Sequence, residues 1–471
     1  MVACATVMGV VFFLKDLHKM LGDEKIGKLL LKLSIPATIG MLVQAMYNFV
    51  DTIFVGRGVG SLGIAAISIS FPVQIFIMAF AQMFGIGGAS IISRALGGKN
   101  QEKADRTAGN VIGASLLFGV SMAAIGILFL EPLLRALGAS DNIIPYARDY
   151  LGVILIGTAF FSFGMAMNNV IRAEGKAKIA MLTMLISALL NIILDPIFIF
   201  ALDMGIRGAA IATVISQAVT SVYVLGYFSF GKSSLKVRLK SLLPEWSIIR
   251  EMVTVGLSAF SRQVAGSMLA IIMNNSLVFY GGDIAVSVYG VINRLLMVFV
   301  MPMFGINQGF APILGYNYGA RKLRRARDSV RLSTIVTTSL AVFSTVLMMI
   351  FARQLIGIFT NEAQLIELST KALRIVIIAL PSIGVQVIAS GMFQALGKAG
   401  PALFLSLLRQ IIILIPLVLI MPGYFGIDGI WLSFPLADSI AFVISLAFYI
   451  RELRLFKSGE LDLEEGVTDV A

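Results

Sequence analysis

About twelve apolar runs, each long enough to cross a hydrocarbon layer roughly 30 Å thick, follow one another along this chain. Their limits fall near 34 to 56, 62 to 90, 108 to 130, 143 to 169, 178 to 201, 207 to 230, 248 to 280, 284 to 314, 330 to 351, 365 to 393, 401 to 421 and 427 to 450. Inside hydrocarbon the backbone has no water to bond to, so runs of this length fold as helices that satisfy their own N–H and C=O groups. Hydrophobic residues make up 58% of the chain and charged ones 13%, with a mean hydropathy of +0.92, far above a soluble domain of 471 residues. The expected fold class is an all-α polytopic membrane protein with twelve transmembrane helices.

An even number of spans brings both ends to one face. Of the basic residues, about 27 lie in the N-terminal segment, the C-terminal tail and alternate loops, against about seven in the opposite loops. The loops RALGGKNQEKADR, RAEGKAK, GKSSLKVRLK and ARKLRRARDSVR carry most of this excess, so both termini are expected in the cytoplasm, with the spans in a prokaryotic plasma membrane. The net charge of +11 is thus spread over short clusters between apolar spans, which sets a nucleic-acid partner aside. One cysteine, Cys4, permits no internal disulfide, and the lone His18 precedes the first span, so neither can build a Cys/His metal centre. Val2 to Leu14 is apolar but too short to span and reads as an interfacial helix, while the tail ELDLEEGVTDVA reads as acidic, disordered sequence.

The chain also repeats. MFGIGGASIISRALGGKNQEKA at Met83 resembles MFGINQGFAPILGYNYGARKLRRA at Met303, RAEGKA at Arg172 resembles QALGKA at Gln394, and GIRG at Gly205 answers GIDG at Gly426, each about 220 residues apart. Two six-helix halves follow: an N-terminal segment over 1–33, a first lobe over 34–230, a linker over 231–247, a second lobe over 248–451 and a tail over 452–471. Six is even, so both halves run the same way and relate by an axis along the membrane normal, with a cavity between them.

Within IPATIGMLVQAMYNFVDTIFVGR, residues 35 to 57, stands a single carboxylate, Asp51, at a depth where an ionised acid is costly unless water, a cation or a proton attends it. Asp195 of the fifth span matches it: counted from Lys32 and Lys178, both acids sit roughly 25 to 28 Å from the inner face. The repeat places Met273 and Leu417 at the corresponding points of the second half, so the acids belong to the first lobe alone. Tyr47 and Asn191 each precede their acid by four residues and share its helix face, while Tyr150 and Thr213 enter the same layer from descending spans. Carboxylates brought together repel, which favours uptake of a proton. Na⁺ could neutralise them instead, with Asp51, Asp195, Asn191 and Thr213 as oxygen ligands. Separate acids in small water pockets, or Asp51 paired with Arg57 at a helix end, are the plainer readings. Pro36 and Pro196 each remove a backbone hydrogen bond within or at the edge of a span, Pro36 serving either as a hinge beneath Asp51 or as an ordinary helix start.

The second half holds Asn274, Asn275, Asn293, Asn307, Gln308, Gln386, Gln410, Arg262, Arg294, Arg409 and one acid, Asp438, which either bond helix to helix or line the cavity. Gln44, Asn169, Asn274, Arg294 and Asn307 are the candidate substrate-cavity residues. With 23 Met and 32 Phe in the chain, soft apolar walls suited to varied amphipathic ligands are expected.

MYNFVDTIFVGR in the first span, LLNIILDPIFIF in the fifth, the RALGGKNQEKA loop and the twelve-span duplication together resemble the multidrug and toxic compound extrusion (MATE) transporters over nearly the whole chain after Met20. The resemblance is nearest the DNA-damage-inducible (DinF-like) and archaeal branch. It implies that Asp51 and Asp195 are coupling acids of a proton or sodium site in the first lobe, with Tyr47, Tyr150, Asn191 and Thr213 as their hydrogen-bonding neighbours and Pro36 as the bend in the first helix. The chain departs from the other large bacterial branch, whose seventh-span carboxylate is missing from LSAFSRQVAGSML, residues 257 to 269.

The function expected is secondary antiport: export of organic, often cationic amphiphiles against inward H⁺ or Na⁺ by alternating access, with no cofactor, by a monomer. A lipid-linked saccharide flippase is the nearest alternative, kept open by Arg262, Arg294 and Arg409. An intramembrane enzyme lacks the clustered aspartates that would hold Mg²⁺ on a diphosphate, and a channel lacks a ring of charges repeated in both halves.

Overall fold

The computed structural model describes residues 18–230 and 233–468, with 48, 49 and 460–468 described by their backbone alone; Val2 to Leu14 and Cys4 lie outside the described residues. The first lobe is built from α1 (Ile26–Gly58), α2 (Ser61–Gly97), α3 (Gln101–Leu128), α4 (Ile144–Ala173), α5 (Ala177–Ala201) and α6 (Gly205–Ser229). A continuous helical stretch, Trp246–Gly319, then runs for 74 residues. Such a helix would be about 110 Å long. It is instead two passes, α7 (246–281) and α8 (283–319), turned at Gly282, whose φ of +64° only a residue without a Cβ adopts at no cost. There follow α9 (Leu323–Ile350), α10 (Ala363–Val376 and Leu380–Leu396, bent by 46°), α11 (Ala399–Phe425) and α12 (Ile427–Thr468). The bend in α10 falls at the 3-10 turn Leu380–Ser382, where Pro381 withholds a backbone donor. Twelve membrane passes result.

Helix ends carry local signals. Asn100 caps α3 by accepting from the Lys103 N–H (2.9 Å), with Glu102 in the first turn against the positive end of the helix dipole. Several helices outrun their apolar stretches: α1 starts at Ile26 rather than 34, α2 ends at Gly97 rather than 90, α3 starts at Gln101 rather than 108 and α9 at Leu323 rather than 330. These extra turns are the amphipathic ends that stand clear of hydrocarbon, where hydropathy falls although the helix continues. The tail expectation is corrected likewise, since the α12 backbone stays helical to Thr468. ELRLFKSGELDLEE is rich in helix formers and in charges at i, i+3 and i, i+4 spacing, so it propagates the helix rather than fraying.

Lipid offers no hydrophobic drive for helix association, and small residues that let backbones touch take its place. Within the first lobe α4 packs on α2, α3 and α6, and α1 on α5; α2 and α1 then meet α7 and α8 across the lobe boundary. The boundary is reciprocal. A Cβ placed on Gly97 would fall 2.0 Å from the Tyr316 carbonyl oxygen, and one on Gly319 would fall 2.1 Å from that of Arg94. Gly87 and Gly256 pair in the same manner with the Met252 and Met83 carbonyls, 2.0 Å in each case.

Every hydrogen bond and ion pair seen across this boundary, among the described residues, lies between the basic-loop end and mid-depth. Ser34 donates to the Ile306 carbonyl at 3.5 Å, Ser90 to that of Gln394 at 2.5 Å, Asn317 to that of Leu21 at 3.1 Å, and Arg94 pairs with Glu251 at 2.9 Å. Gln263 against Met78, with Phe260 against Phe76 and Phe80, marks the outermost of these contacts. Among the described residues, the polar contacts that join the lobes thus cluster at the basic end.

The linker is tied to the first lobe by Gln101, Asp105 and Asn110 of α3 and by a buried carboxylate, Glu174, at the end of α4. Its two oxygens accept from Tyr227 Oη (2.8 Å), Ser233 Oγ (2.5 Å), Ser234 Oγ (2.9 Å) and the Leu235 N–H (3.1 Å).

Candidate functional site

The outer ends of α1 and α5 touch so closely that a Cβ on Gly58 would lie 2.3 Å from Ile199 Cγ2. The two acids stand below this contact, Asp195 one turn before Ile199 and Asp51 about two turns before Gly58. Their carboxyl groups face each other within hydrogen-bonding reach. Asp195 is fully buried. Asn191 Nδ2 donates to Asp195 Oδ1 at 3.3 Å and to Thr213 Oγ1 at 3.2 Å, so three of the expected residues form one chain from α5 to α6. Tyr47 and Tyr150 stand near both acids. Three oxygens in this layer are buried without a partner among the described residues: Asp51 Oδ1, Asp195 Oδ2 and Asn191 Oδ1.

Local structure holds this arrangement in place. α5 stays α-helical to Pro196 and then opens into a π-helical turn, Ile197–Ala201, which absorbs the hydrogen bond that the proline cannot make. Val55, Ile199 and Ala209 are buried together just outside the acids, with Phe54, Val59 and Ile67 against them. This apolar plug covers the polar layer on its outer side. Pro36 lies within α1, whose helix runs unbroken from Ile26 to Gly58, so the missing donor is carried ten residues in from the helix start.

Gln74 of α2 was not among the residues singled out from sequence, yet its Nε2 donates to Tyr150 Oη at 3.4 Å and adds a fifth helix to the layer. The signal was present: Gln74 is the one amide in the apolar stretch SFPVQIFIMAF, two residues after Pro72.

Two cavities open beyond the first lobe. One, of about 270 Å³, lies between the lobes and is walled by α1, α2, α4, α7, α8 and α10; Asn169 and Asn307 line it, and Asn169 donates to Gln82 Oε1 at 3.2 Å. The other, of about 410 Å³, lies inside the second lobe, around Tyr289, Asn293, Gln386, Gln410 and the buried ion pair of Arg409 with Asp438. Gln386 bonds helix to helix there, its Nε2 donating to the Asp438 carbonyl and to Ser382 Oγ, both at 3.1 Å. Gln44, Asn274 and Arg294 line neither of these two cavities; Asn274 and Arg294 are exposed. A helix turns about 100° per residue, so Asn293 reaches the cavity and its neighbour Arg294 does not. Arg172 and Gln394 do reach the inter-lobe cavity, although sequence spacing assigned Arg172 to a basic loop.

The MatE family profile matches this chain twice, over residues 36–197 and 259–420, one match in each lobe. The multidrug export protein MepA of Staphylococcus haemolyticus (strain JCSC1435) is 30% identical over 435 residues, which span 92% of this chain and 95% of that protein. Among solved structures, an outward-facing conformation of a multidrug resistance MATE family transporter of the MOP superfamily superposes with a TM-score of 0.88 at 29% identity, covering 93% of this chain and 98% of the other. A MOP superfamily transporter from Pyrococcus furiosus Vc1, described by a reversed polarity of its binding pocket that suggests a different function, gives 0.87 at 29% identity over the same shares. With both halves matched by the profile and the whole twelve-helix body shared with solved relatives, the chain belongs to the MatE family.

Proposed function

We propose that this protein is a secondary antiporter of a prokaryotic plasma membrane, exporting organic amphipathic compounds, cations among them, in exchange for H⁺ or Na⁺ moving inward. The observation that carries the reading is the facing pair Asp51 and Asp195. Two carboxyl groups this close, in a layer from which Val55 and Ile199 keep bulk water, repel unless a positive ion lies with them. Their occupancy therefore changes the energy of the first lobe.

Either ion suits the donors. A proton needs only the two carboxyl groups, and Na⁺ would find oxygens alone, with Asp51 Oδ1, Asp195 Oδ2 and Asn191 Oδ1 unpartnered and Thr213 alongside. Uptake removes the repulsion and lets α1 approach α5 more closely; Pro36, with its missing hydrogen bond, is the place where α1 yields. The inter-lobe contacts all lie toward the basic-loop end, which the charge distribution assigns to the cytoplasm along with both termini. The posture is therefore outward-facing, and the transport cycle must break the seam of Gly97, Gly319, Ser34 and Ser90 as the lobes rock. One chain holds both lobes and the acid pair, so a monomer suffices, and no cofactor takes part.

The test is counterflow of a fluorescent organic cation in proteoliposomes, driven first by a pH gradient and then by a sodium gradient. Wild-type protein should respond to one of them, and Asp51→Asn to neither. Unchanged gradient-driven export by Asp51→Asn would remove the acid pair from the mechanism.

A further inference from the structure

Two arginines around the cavities are matched by acids. Arg94 pairs with Glu251 at 2.9 Å, and Arg409 with Asp438. Two are not. Arg172, on the last turn of α4, and Arg262 of α7 both line the inter-lobe cavity, and no carboxylate among the described residues shares its wall. Arg172 Nε and Nη1 are buried without a partner. Arg262 stands over the Phe304 ring, its guanidinium carbon 5.9 Å from the centroid, a contact that engages the cation's face and leaves its N–H edge open. Gln394, 5% exposed, points a third unpartnered donor, Nε2, from α10 at the same cavity.

Buried guanidinium donors without acceptors are costly, and the planar fork of arginine matches a carboxylate, sulfonate or phosphate in two parallel hydrogen bonds. The neighbouring cavity in the second lobe shares Arg262 and Phe304 with this one, so the two spaces adjoin at that residue pair. Its wall beyond them combines apolar residues, Leu269, Ala270 and Val300 among them, with Gln386, Gln410 and the Arg409–Asp438 pair, whose charges meet each other. Together the cavities, about 270 and 410 Å³, hold a drug-sized molecule.

We infer that the inter-lobe cavity binds the acidic group of an amphiphile, Arg172 and Arg262 gripping the anion while the ligand's apolar body extends past Phe304 into the second lobe. This names a substrate class for the proposed exporter, carboxylate-bearing and zwitterionic amphiphiles, and rests on that reading. The two acids of the first lobe lie apart from this cavity, so the ion site and the anion grip occupy different places in the molecule.

The experiment compares two dyes that share one ring system: rhodamine B, whose free carboxylate makes it a zwitterion, and its ethyl ester, a cation. Binding to the purified full-length protein is read by fluorescence anisotropy at equilibrium, with no ion gradient, so the outcome does not depend on coupling. Rhodamine B is expected to bind about tenfold more tightly or better, as a charge-assisted hydrogen-bond pair allows. The preference should shrink to about twofold in Arg172→Gln and in Arg262→Gln and be restored only in part in Arg172→Lys, which returns the charge but not the planar fork. Wild-type protein alone tests the assignment should a variant fail to fold. Equal affinity for the two dyes, tighter binding of the ester, binding of neither, or a preference that survives both glutamine variants would overturn it.

Discussion

The two lobes share one plan and use it for opposite ends. In each, the fifth of six helices opens into a π-helical turn, Ile197–Ala201 in α5 and Leu408–Leu414 in α11, and in each that turn adjoins the lobe's buried charges. An extra residue per turn shifts the helix face and leaves backbone groups to be met locally, a device found where a side chain has to be aimed. In the first lobe the turn adjoins Asp195, which faces Asp51 of α1 with no cation beside the pair among the described residues. In the second, Arg409 meets Asp438, and the only opposite charge needed is already built in. An unmatched pair gains by taking up an ion, whereas a matched pair has nothing to gain. One bundle is thus a switch and its copy a fixed frame.

The comparison breaks first at the acids. Asp195→Asn keeps the side chain's shape and one acceptor for Asn191 but removes the repulsion, so gradient-driven export in proteoliposomes should fall to the level of empty vesicles. Asp438→Asn should act through stability instead. Arg409, 30% exposed toward the second-lobe cavity, would be left unpaired, at a cost of about 1–3 kcal/mol in thermal or denaturant unfolding, and replacing both members with Met and Leu should recover most of it. The folded fraction of Asp438→Asn should still respond to the ion gradient. Loss of coupling in a stably folded Asp438→Asn protein would end the division between switch and frame.

Much of this lay open in the sequence. Hydropathy gave the span count, because a bilayer admits few backbone solutions, and the depth of Asp51 and Asp195 followed from rise per residue, with Tyr47 and Asn191 placed by helical spacing. The link through Thr213 also followed, since Asn191 and Thr213 lie in adjacent spans. What stayed hidden depends on rotation about helix axes and on partners far apart in sequence. Arg294 and Asn293 are equivalent to a hydropathy count, yet only the second lines the second-lobe cavity. Arg172 sits one residue from the end of α4 and reads as a loop charge until α2, α8 and α10 are seen around it. Gln74 needed Tyr150, 76 residues away, to show its purpose.

The boundary between lobes offers a sharper and smaller effect. Gly97→Ala or Gly319→Ala would drive a methyl group into a carbonyl oxygen 2.0 or 2.1 Å away, and overpacking of this kind costs about 1–3 kcal/mol. The cost falls only on the state closed at the basic-loop end, because the two glycines meet the opposite lobe there. Backbone amides over 90–97 and 312–319 should exchange hydrogen faster in both variants. Gly266→Ala is the internal reference, since a methyl group there meets nothing within 4 Å and replaces a poor helix former; it should leave exchange unchanged or slow it slightly. Faster exchange in Gly266→Ala as well would show that helix dynamics, rather than the seam, governs the readout.

The smallest effect separates the linker from both lobes. Glu174 is wholly buried and meets four neutral donors but no cation, and burial holds its carboxyl above the usual value of 4.5 while Ser233, Tyr227, Ser234 and the Leu235 N–H pull the other way. A folded-state value raised above the unfolded one means that the native state binds this proton more tightly. Its contribution to stability is complete below about 4.5 and fades as pH climbs through the folded value. Thermal unfolding in detergent from pH 4 toward neutrality should therefore show a shallow decline in wild type that is absent from Glu174→Gln. Glu174→Ala removes the acceptor altogether and should cost about 1–3 kcal/mol at every pH by leaving Tyr227 and the linker serines unbonded. A slope that persists in Glu174→Gln would place the titration elsewhere and leave the linker tie a matter of hydrogen bonds alone.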